Sequence, residues 1–277
     1  MTYTQYPVHP SLQNWIRYFW SYQSDAAKID KLHIRSFADC YPRLIFQDIH
    51  SFSPIQTVDG YVMPACYLSG LDTKPSGGNW ETRFSHFGVS FYPHTLHAVF
   101  RLDAAGITNE TPNILALDNT GLTDLLLMAR TNQERVSILS KYFYDKLFVV
   151  KKDRIINDLV HQPLMNQICN DGNLANIAGH YNISERQLQR RFKQNIGVSA
   201  SKFKRLQKFE KALQLMSSAR YGTLTRLGYD LGYSDQSHFI SDFKEFSGLS
   251  PYEFIKMTNL GSESASFIYP ETPRLSF

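Results

Sequence analysis

Up to about residue 118 the apolar positions come in short runs: RLIFQDI (43–49), YVMPACYLSG (61–70) and FSHFGVSFYP (84–93). Their length predicts strands, parted by turns at Asp59-Gly60 and in KPSGGN, 74–79. Two early pieces break the pattern. SLQNWIRYFWSY (11–22) spaces Leu12, Trp15, Ile16 and Phe19 as one helical face, and PHTLHAVF (93–100) begins with Pro in a first-turn position. The expectation for residues 1–118 is a mixed, mostly β domain. From Thr123 the texture changes: TDLLLMAR and NQERVSILSKYFYDKLF set Val136, Leu139, Phe143 and Leu147 about a turn apart, predicting two helices in a connector over 119–152. KKD (151–153) is the expected joint, helical patterns fill 153–257, and the Ser- and Pro-bearing tail, 258–277, is expected to be loosely attached. The fold class is therefore α+β in two domains, the second all-α.

Inside 153–257 one phrase occurs twice. FKQNIGVSASKF (192–203) is echoed by FKEFSGLSPYEF (243–254), 51 positions later. Before the first copy, Leu174, Ile177 and Ala178 mark one helix face, Tyr181-Asn182 breaks it, and Ser184 with Gln187 three residues on predicts a capped second helix. Before the second copy, Leu224, Leu227 and Gly228 repeat that face. Gly232 suits a left-handed turn there, and Asp235 supplies a helix start. Each phrase then reads as a helix stop at Gly197 or Gly248, followed by a capped start at Ser199 or Ser250. Phe192 and Phe203, like Phe243 and Phe254, point at the core. Small Ala178 lets two helices cross closely, so the pattern predicts two consecutive helix-turn-helix units. Between them residues 199–218 hold no Gly or Pro, and a stripe of Phe203, Leu206, Phe209, Leu213 and Met216 predicts a rod of about 30 Å. That is close to the ~34 Å turn of B-DNA.

Charge sharpens this picture. The chain carries a formal +4, yet residues 151–260 hold 16 Lys and Arg against 10 Asp and Glu. From Ser184 to Lys208 stand Arg186, Arg190, Arg191, Lys193, Lys202, Lys204, Arg205 and Lys208 against Glu185 alone. Such a patch fits a polyanion, although Arg191 could equally pair with a carboxylate and Lys202 and Lys208 could be solvated. With Leu188 and Phe192 inside, the first unit turns Arg186, Gln189, Arg190 and Lys193 outward; Arg can fork onto guanine and Gln onto adenine. Lys193, Lys204 and Arg205, with the capped starts at Ser199 and Ser250, are placed on phosphates. The second unit offers Gln236, His238 and Ser241 beside acidic Asp235, Asp242 and Glu245. It is the weaker reader.

These residues resemble the AraC/XylS family of bacterial transcription regulators. The match runs from Arg154 to Met257 and is carried by ANIAGHYNISERQLQRRFKQNIGVS, the linking helix and LGYSDQSHFISDFKEFSGLSPYEF. The resemblance implies two helix-turn-helix subdomains entering successive major grooves, with Arg186, Gln189 and Arg190, then Gln236, His238 and Ser241, at base-reading positions. Ser241 and Gly228 depart from the Arg and Ala common among relatives. The Ser weakens guanine reading, and the Gly should loosen its helix by ~1 kcal/mol. Through YPVHPSLQNWIRYFW, CYPRLIF, YLSGLDTKP and HFGVSFYPHTLHAVF, residues 6–148 look like an N-terminal domain attached to some members. That likeness implies a sensing or dimerising module and names no ligand. Implied partners are promoter DNA, RNA polymerase, a small-molecule effector and a second copy of the chain.

Other chemistry finds less support. Cys40, Cys66 and Cys169 are scattered and never in a CxxC pair, which fits a reducing cytoplasm. MTYTQYPVHP reads neither as a secretory signal nor as a membrane anchor, and no run reaches the ~20 apolar residues of a membrane span. His94 and His97 could face one side of a helix, but no third metal ligand stands near. His33, Asp39, Cys40 and His86 would form a nucleophile set only if the fold gathered them. Some DNA-alkylation repair proteins join such a DNA-binding domain to a methyl-accepting Cys in a Pro-Cys-His setting. Here the settings are Asp39-Cys40-Tyr41, Ala65-Cys66-Tyr67 and Ile168-Cys169-Asn170. No catalysis, cofactor or metal is expected.

Overall fold

The stretch that spaces Leu12, Trp15, Ile16 and Phe19 like a helix is mostly strand. In the computed structural model, which describes residues 2–28, 30–150, 153–161, 174–218, 220–256 and 268–270, Pro10–Leu12 is a short 3-10 turn and β2 runs Ile16–Asp25. The cause is local. The register of β2 shifts between Ile16 and Tyr18, a bulge that puts Ile16 and Phe19 on the buried face three residues apart, where a regular strand repeats every two. The other strands fall where the short apolar runs predict: β4 at Arg43–Gln47, β6 at Cys66–Ser69 and β8 at Arg83–Phe91.

With β1 (Thr2–Tyr6) these make a five-stranded antiparallel sheet in the order β1-β2-β8-β4-β6. A second sheet is ordered β5-β7-β3-β9 from β5 (Gln56–Thr57), β7 (Ser76–Glu81), β3 (Lys31–Ser36) and β9 (Ile268–Pro270). The β9 strand comes from the tail, so part of the tail is paired; the rest of 258–277 lies outside the described residues. Helix α1 spans Thr95–Phe100, with Pro93 just ahead of the His94 cap rather than in the first turn. Helices α2 (Leu122–Met128) and α3 (Asn132–Phe148) pack Leu122, Leu126, Leu139 and Phe143 into the same core as Phe19, Phe46 and Phe91. The connector thus shares the first domain's core.

In the second half the regular elements among the described residues are helices: α4 (Arg154–His161), α5 (Leu174–His180), α6 (Glu185–Ile196), α7 (Ala200–Ser217), α8 (Leu224–Asp230), α9 (Gln236–Ser247) and α10 (Pro251–Ile255). Gly197 at φ 103° and Gly248 at φ 74° end α6 and α9 in the left-handed region. Each copy of the repeated phrase closes on itself through its own two rings. Phe192 meets Phe203 at 5.8 Å and 72°, and Phe243 meets Phe254 at 5.5 Å and 71°.

The two halves are joined by more than covalent chain. Phe37, following β3, is 1% exposed and belongs to the helical core, with its ring 6.3 Å from Phe209 and 6.0 Å from Phe254. Beside it Ala38 N donates to Phe246 O at 2.8 Å, and the Cys40 thiol donates to Glu210 Oε2 at 3.0 Å. On the other side Thr108 Oγ1 donates to Gly197 O at 3.1 Å. The first-domain surface therefore touches both repeated units.

Candidate nucleic-acid interface

The first unit is built as the pattern predicts. Asn182 at φ 53° turns the chain out of α5, and Ser184 and Gln187 form a reciprocal capping box at the start of α6. Leu188, Phe192 and Ile196 are buried, which leaves Arg186, Gln189, Arg190 and Lys193 exposed on the opposite side. Gln189 Nε2 donates to Glu185 Oε1 at 2.9 Å, a bond between neighbouring turns of α6. Arg190 borders a shallow hollow with Ile183, Gln187 and Gln194. Arg191 also borders it, but its Nε lies 3.5 Å from Asp153 Oδ2, so the carboxylate partner has claimed this arginine.

The second unit begins differently. Asp235 caps α9 by accepting from His238 N at 2.9 Å, and His238 Nδ1 lies 2.5 Å from Ser234 Oγ. Backbone donation from His238 holds the Asp235 carboxyl below the usual range, so a negative charge stands at the start of α9. Gln236 is bridged by Thr225, whose Oγ1 donates to its Oε1 at 3.1 Å, and by Tyr252, to whose hydroxyl its Nε2 donates at 3.3 Å. Neither neighbour is signalled by spacing, since each comes from another helix. His238 and Ser241 are exposed.

Among the residues placed on phosphates the surroundings differ. Ser199 and Ser250 cap α7 and α10 as expected, and Lys193 is exposed. Lys204 is half-buried on α7. Arg205 is turned toward α9: its Nε and Nη2 donate to Asp242 Oδ1 at 3.0 and 2.6 Å, and Nη2 also reaches Glu245. Lys202 pairs with Glu245 as well. Hydrogen bonding to Asp242 pushes the Arg205 guanidinium further up, and against the opposing effect of burial, donation from Lys202 and Arg205 holds Glu245 down. This network ties the long helix to the second unit.

Of the nucleophile candidates, Cys40 and His86 have separate neighbours, and the His33 side chain lies outside the described residues. Cys40 faces Glu210, while buried His86 packs on Trp80 and Phe84, and burial pushes it down to about 3, in its neutral form. Burial pushes the Cys40 thiol well up and that of Cys66 to about 12, opposite to what a reactive thiolate needs. Cys169 lies outside the described residues. His94 lies against Trp15 with ring centres 4.8 Å apart and tilted by 35°, and His97 Nδ1 meets Leu102 O at 2.5 Å, so the pair serves packing and a turn. Among the described residues no group of His, Cys, Asp or Glu is placed to hold a metal, and no helix is long and apolar enough to cross a membrane.

A family model described as a helix-turn-helix domain matches residues 177–257, the span of the two units. Over 118 residues the chain is 30% identical to the arabinose operon regulatory protein of Escherichia coli. The chain carries a helix-turn-helix domain similar to part of that regulator. The stretch shared with that arabinose regulator covers 38% of this chain and 40% of the relative. An HTH-type transcriptional regulator of Haemophilus influenzae is 26% identical over 114 residues, covering 41% of this chain and 37% of its own. The chain thus spans well under half the length of these relatives. Residues 4–113 match a second family model, a domain of unknown function (DUF6597). Among solved structures, ToxT of Vibrio cholerae aligns with 86% of this chain and 97% of its own at 12% identity and a TM-score of 0.43.

Proposed function

We propose that the chain is a sequence-specific regulator of transcription that reads two successive major grooves, with the first unit supplying most of the affinity. The observation that carries this reading is the capped helix α6, which buries Leu188, Phe192 and Ile196 and leaves Arg186, Gln189 and Arg190 exposed in an AraC-type domain. Helix α7, 18 residues and so about 27 Å long, spaces the second unit on the scale of one duplex turn. Base contacts in this reading come from Arg186, Gln189 and Arg190, then Gln236, His238 and Ser241. Lys193, Lys204 and the amides at Ser199 and Ser250 meet phosphates. The Arg205 contacts to Asp242 and Glu245 favour a positioning role over the phosphate contact expected from its charge.

Arg190→Ala is expected to narrow the gap between cognate and scrambled sites by about 1–3 kcal/mol, whereas Lys204→Ala weakens both alike and lowers the salt slope by about one. Unchanged affinity across salt in both variants would overturn the assigned face. Repair by methyl transfer is the enzymatic rival, and buried Cys40 and Cys66 with raised thiols speak against it. The remaining partners in this reading are RNA polymerase, a second copy of the chain and an effector of the N-terminal half, at work in the cytoplasm. A second copy would pair over α2 and α3, where Met128 is 77% and Phe148 75% exposed. Met128→Glu is expected to shift sedimentation toward the monomer.

A further inference from the structure

Between the two sheets lies a cavity of about 290 Å³. Ile34 and Trp80 line it from the second sheet, Ile55 from just ahead of β5, Ile45 and Tyr67 from the first sheet, and its rim runs past exposed Ser76 and Gly77. Gly78 keeps the floor low, since a Cβ there would stand 3.0 Å from Gln56 O and 3.6 Å from Trp80 Nε1. The volume suits a small organic molecule, at the lower end of ordinary ligand sites.

The charges on the wall are uneven. Arg43 and Asp72 are its ionic side chains. Arg43 is already paired with Asp39, which is 4% exposed and does not line the cavity. That leaves Asp72 as surplus negative charge. Its carboxylate takes a hydrogen bond from Ser69 Oγ at 3.3 Å, and no other among the described residues. A carboxylate beside Ile34, Ile45, Ile55 and Trp80, with one side-chain hydrogen bond and an arginine that it shares with Asp39, is costly unless a further cation or donor completes it. Besides Arg43 and Asp39, the titratable group facing it is the Tyr67 phenol, which burial pushes up and so keeps neutral.

We infer that this cavity takes a small organic ammonium ion, its charged head on Asp72 and its apolar body between Ile55 and Trp80. The inference rests on the reading of the N-terminal half as a sensing domain and supplies the ligand class. An anionic ligand is disfavoured, because the Arg43 charge is spoken for and Asp72 would repel it. The position also joins the ligand to both DNA-reading units. The backbone of Asp72 exchanges hydrogen bonds with Asp39 at 2.9 and 3.0 Å, between the Ala38 contact to Phe246 and the Cys40 contact to Glu210. On its other flank Thr73 N donates to Asn109 Oδ1 at 2.7 Å, next to the Thr108 contact to Gly197.

The test is titration of the full chain by calorimetry and thermal melting, without DNA, using phenethylamine and tryptamine against 3-phenylpropionate and 2-phenylethanol. The amines are expected to bind and raise the melting temperature while the carboxylate and the alcohol do not. Asp72→Asn should weaken amine binding by about tenfold or more, and so should lowering the pH through about 6, where the Asp72 carboxyl takes up its proton. Ile45→Trp, which fills the cavity, should abolish binding with Asp72 intact. Equal binding of the carboxylate or the alcohol, amine binding that survives Asp72→Asn, or no amine binding at millimolar concentration would each overturn the inference. Because no DNA is present, such a failure leaves the DNA reading standing, and the Arg190 and Lys204 variants judge that separately.

Discussion

Arg205 shows how far charge alone carries a single residue. The sequence marks it as one cation in a basic run, but its partners Asp242 and Glu245 come from α9 on the far side of the second turn, and no local rule connects them. Arg205→Ala is therefore expected to lower folding stability by about 1–3 kcal/mol, because it strands a buried Asp242, whereas Lys204→Ala should leave the melting temperature nearly unchanged. Caps are the opposite case: Ser184, Ser199, Asp235 and Ser250 all act within three residues of themselves, and all were legible. Asp72 was not singled out by its sequence neighbours, and its behaviour can be checked by pH. Burial lifts its carboxyl to about 6, above the ordinary carboxylate value near 3.9. The folded state then holds the proton more tightly than the unfolded one, so the contribution is full below that ordinary value and is lost as pH rises through about 6. Asp72→Asn is expected to stabilise the unliganded chain by about 1–3 kcal/mol above this window and by little below it, read from melting curves at both ends.

At the scale of elements, the glycines separate two demands. Gly228 lies within α8, and a Cβ there would meet Phe239 Cβ at 3.4 Å, an ordinary contact. Gly228→Ala should accordingly gain up to about 1 kcal/mol in chemical denaturation. Gly197→Ala should lose more than that: its φ is 103°, and the added carbon would stand 2.5 Å from Thr108 Oγ1 and 2.9 Å from Ala104 O. Helix stops at glycine, the repeat and the capped starts were readable because each is a short-range phrase stated twice. The 11–22 stretch misled because a bulge in β2 imitates helical spacing, and only its partner β8 reveals the irregular register.

At the scale of the molecule, the division into a β-rich half and a helical half was legible from texture, since apolar period changes near Thr123. The contact between the halves was not. Phe37, Cys40 and Thr108 look like loop residues in sequence, and their partners Phe254, Glu210 and Gly197 stand far along the chain. The cavity escaped for the same reason, being a property of two sheets facing each other. One pairing reaches furthest. Ile34 to Ser36 of β3 are matched by Ile268 to Pro270, so a strand made early in synthesis is covered by residues that follow both helix-turn-helix units in the chain. During translation that flank of β3 has open backbone donors and acceptors, and any chain cut short before β9 keeps it open. Premature termination therefore yields a product with a bare, self-adhesive border, even when its helix-turn-helix units are complete.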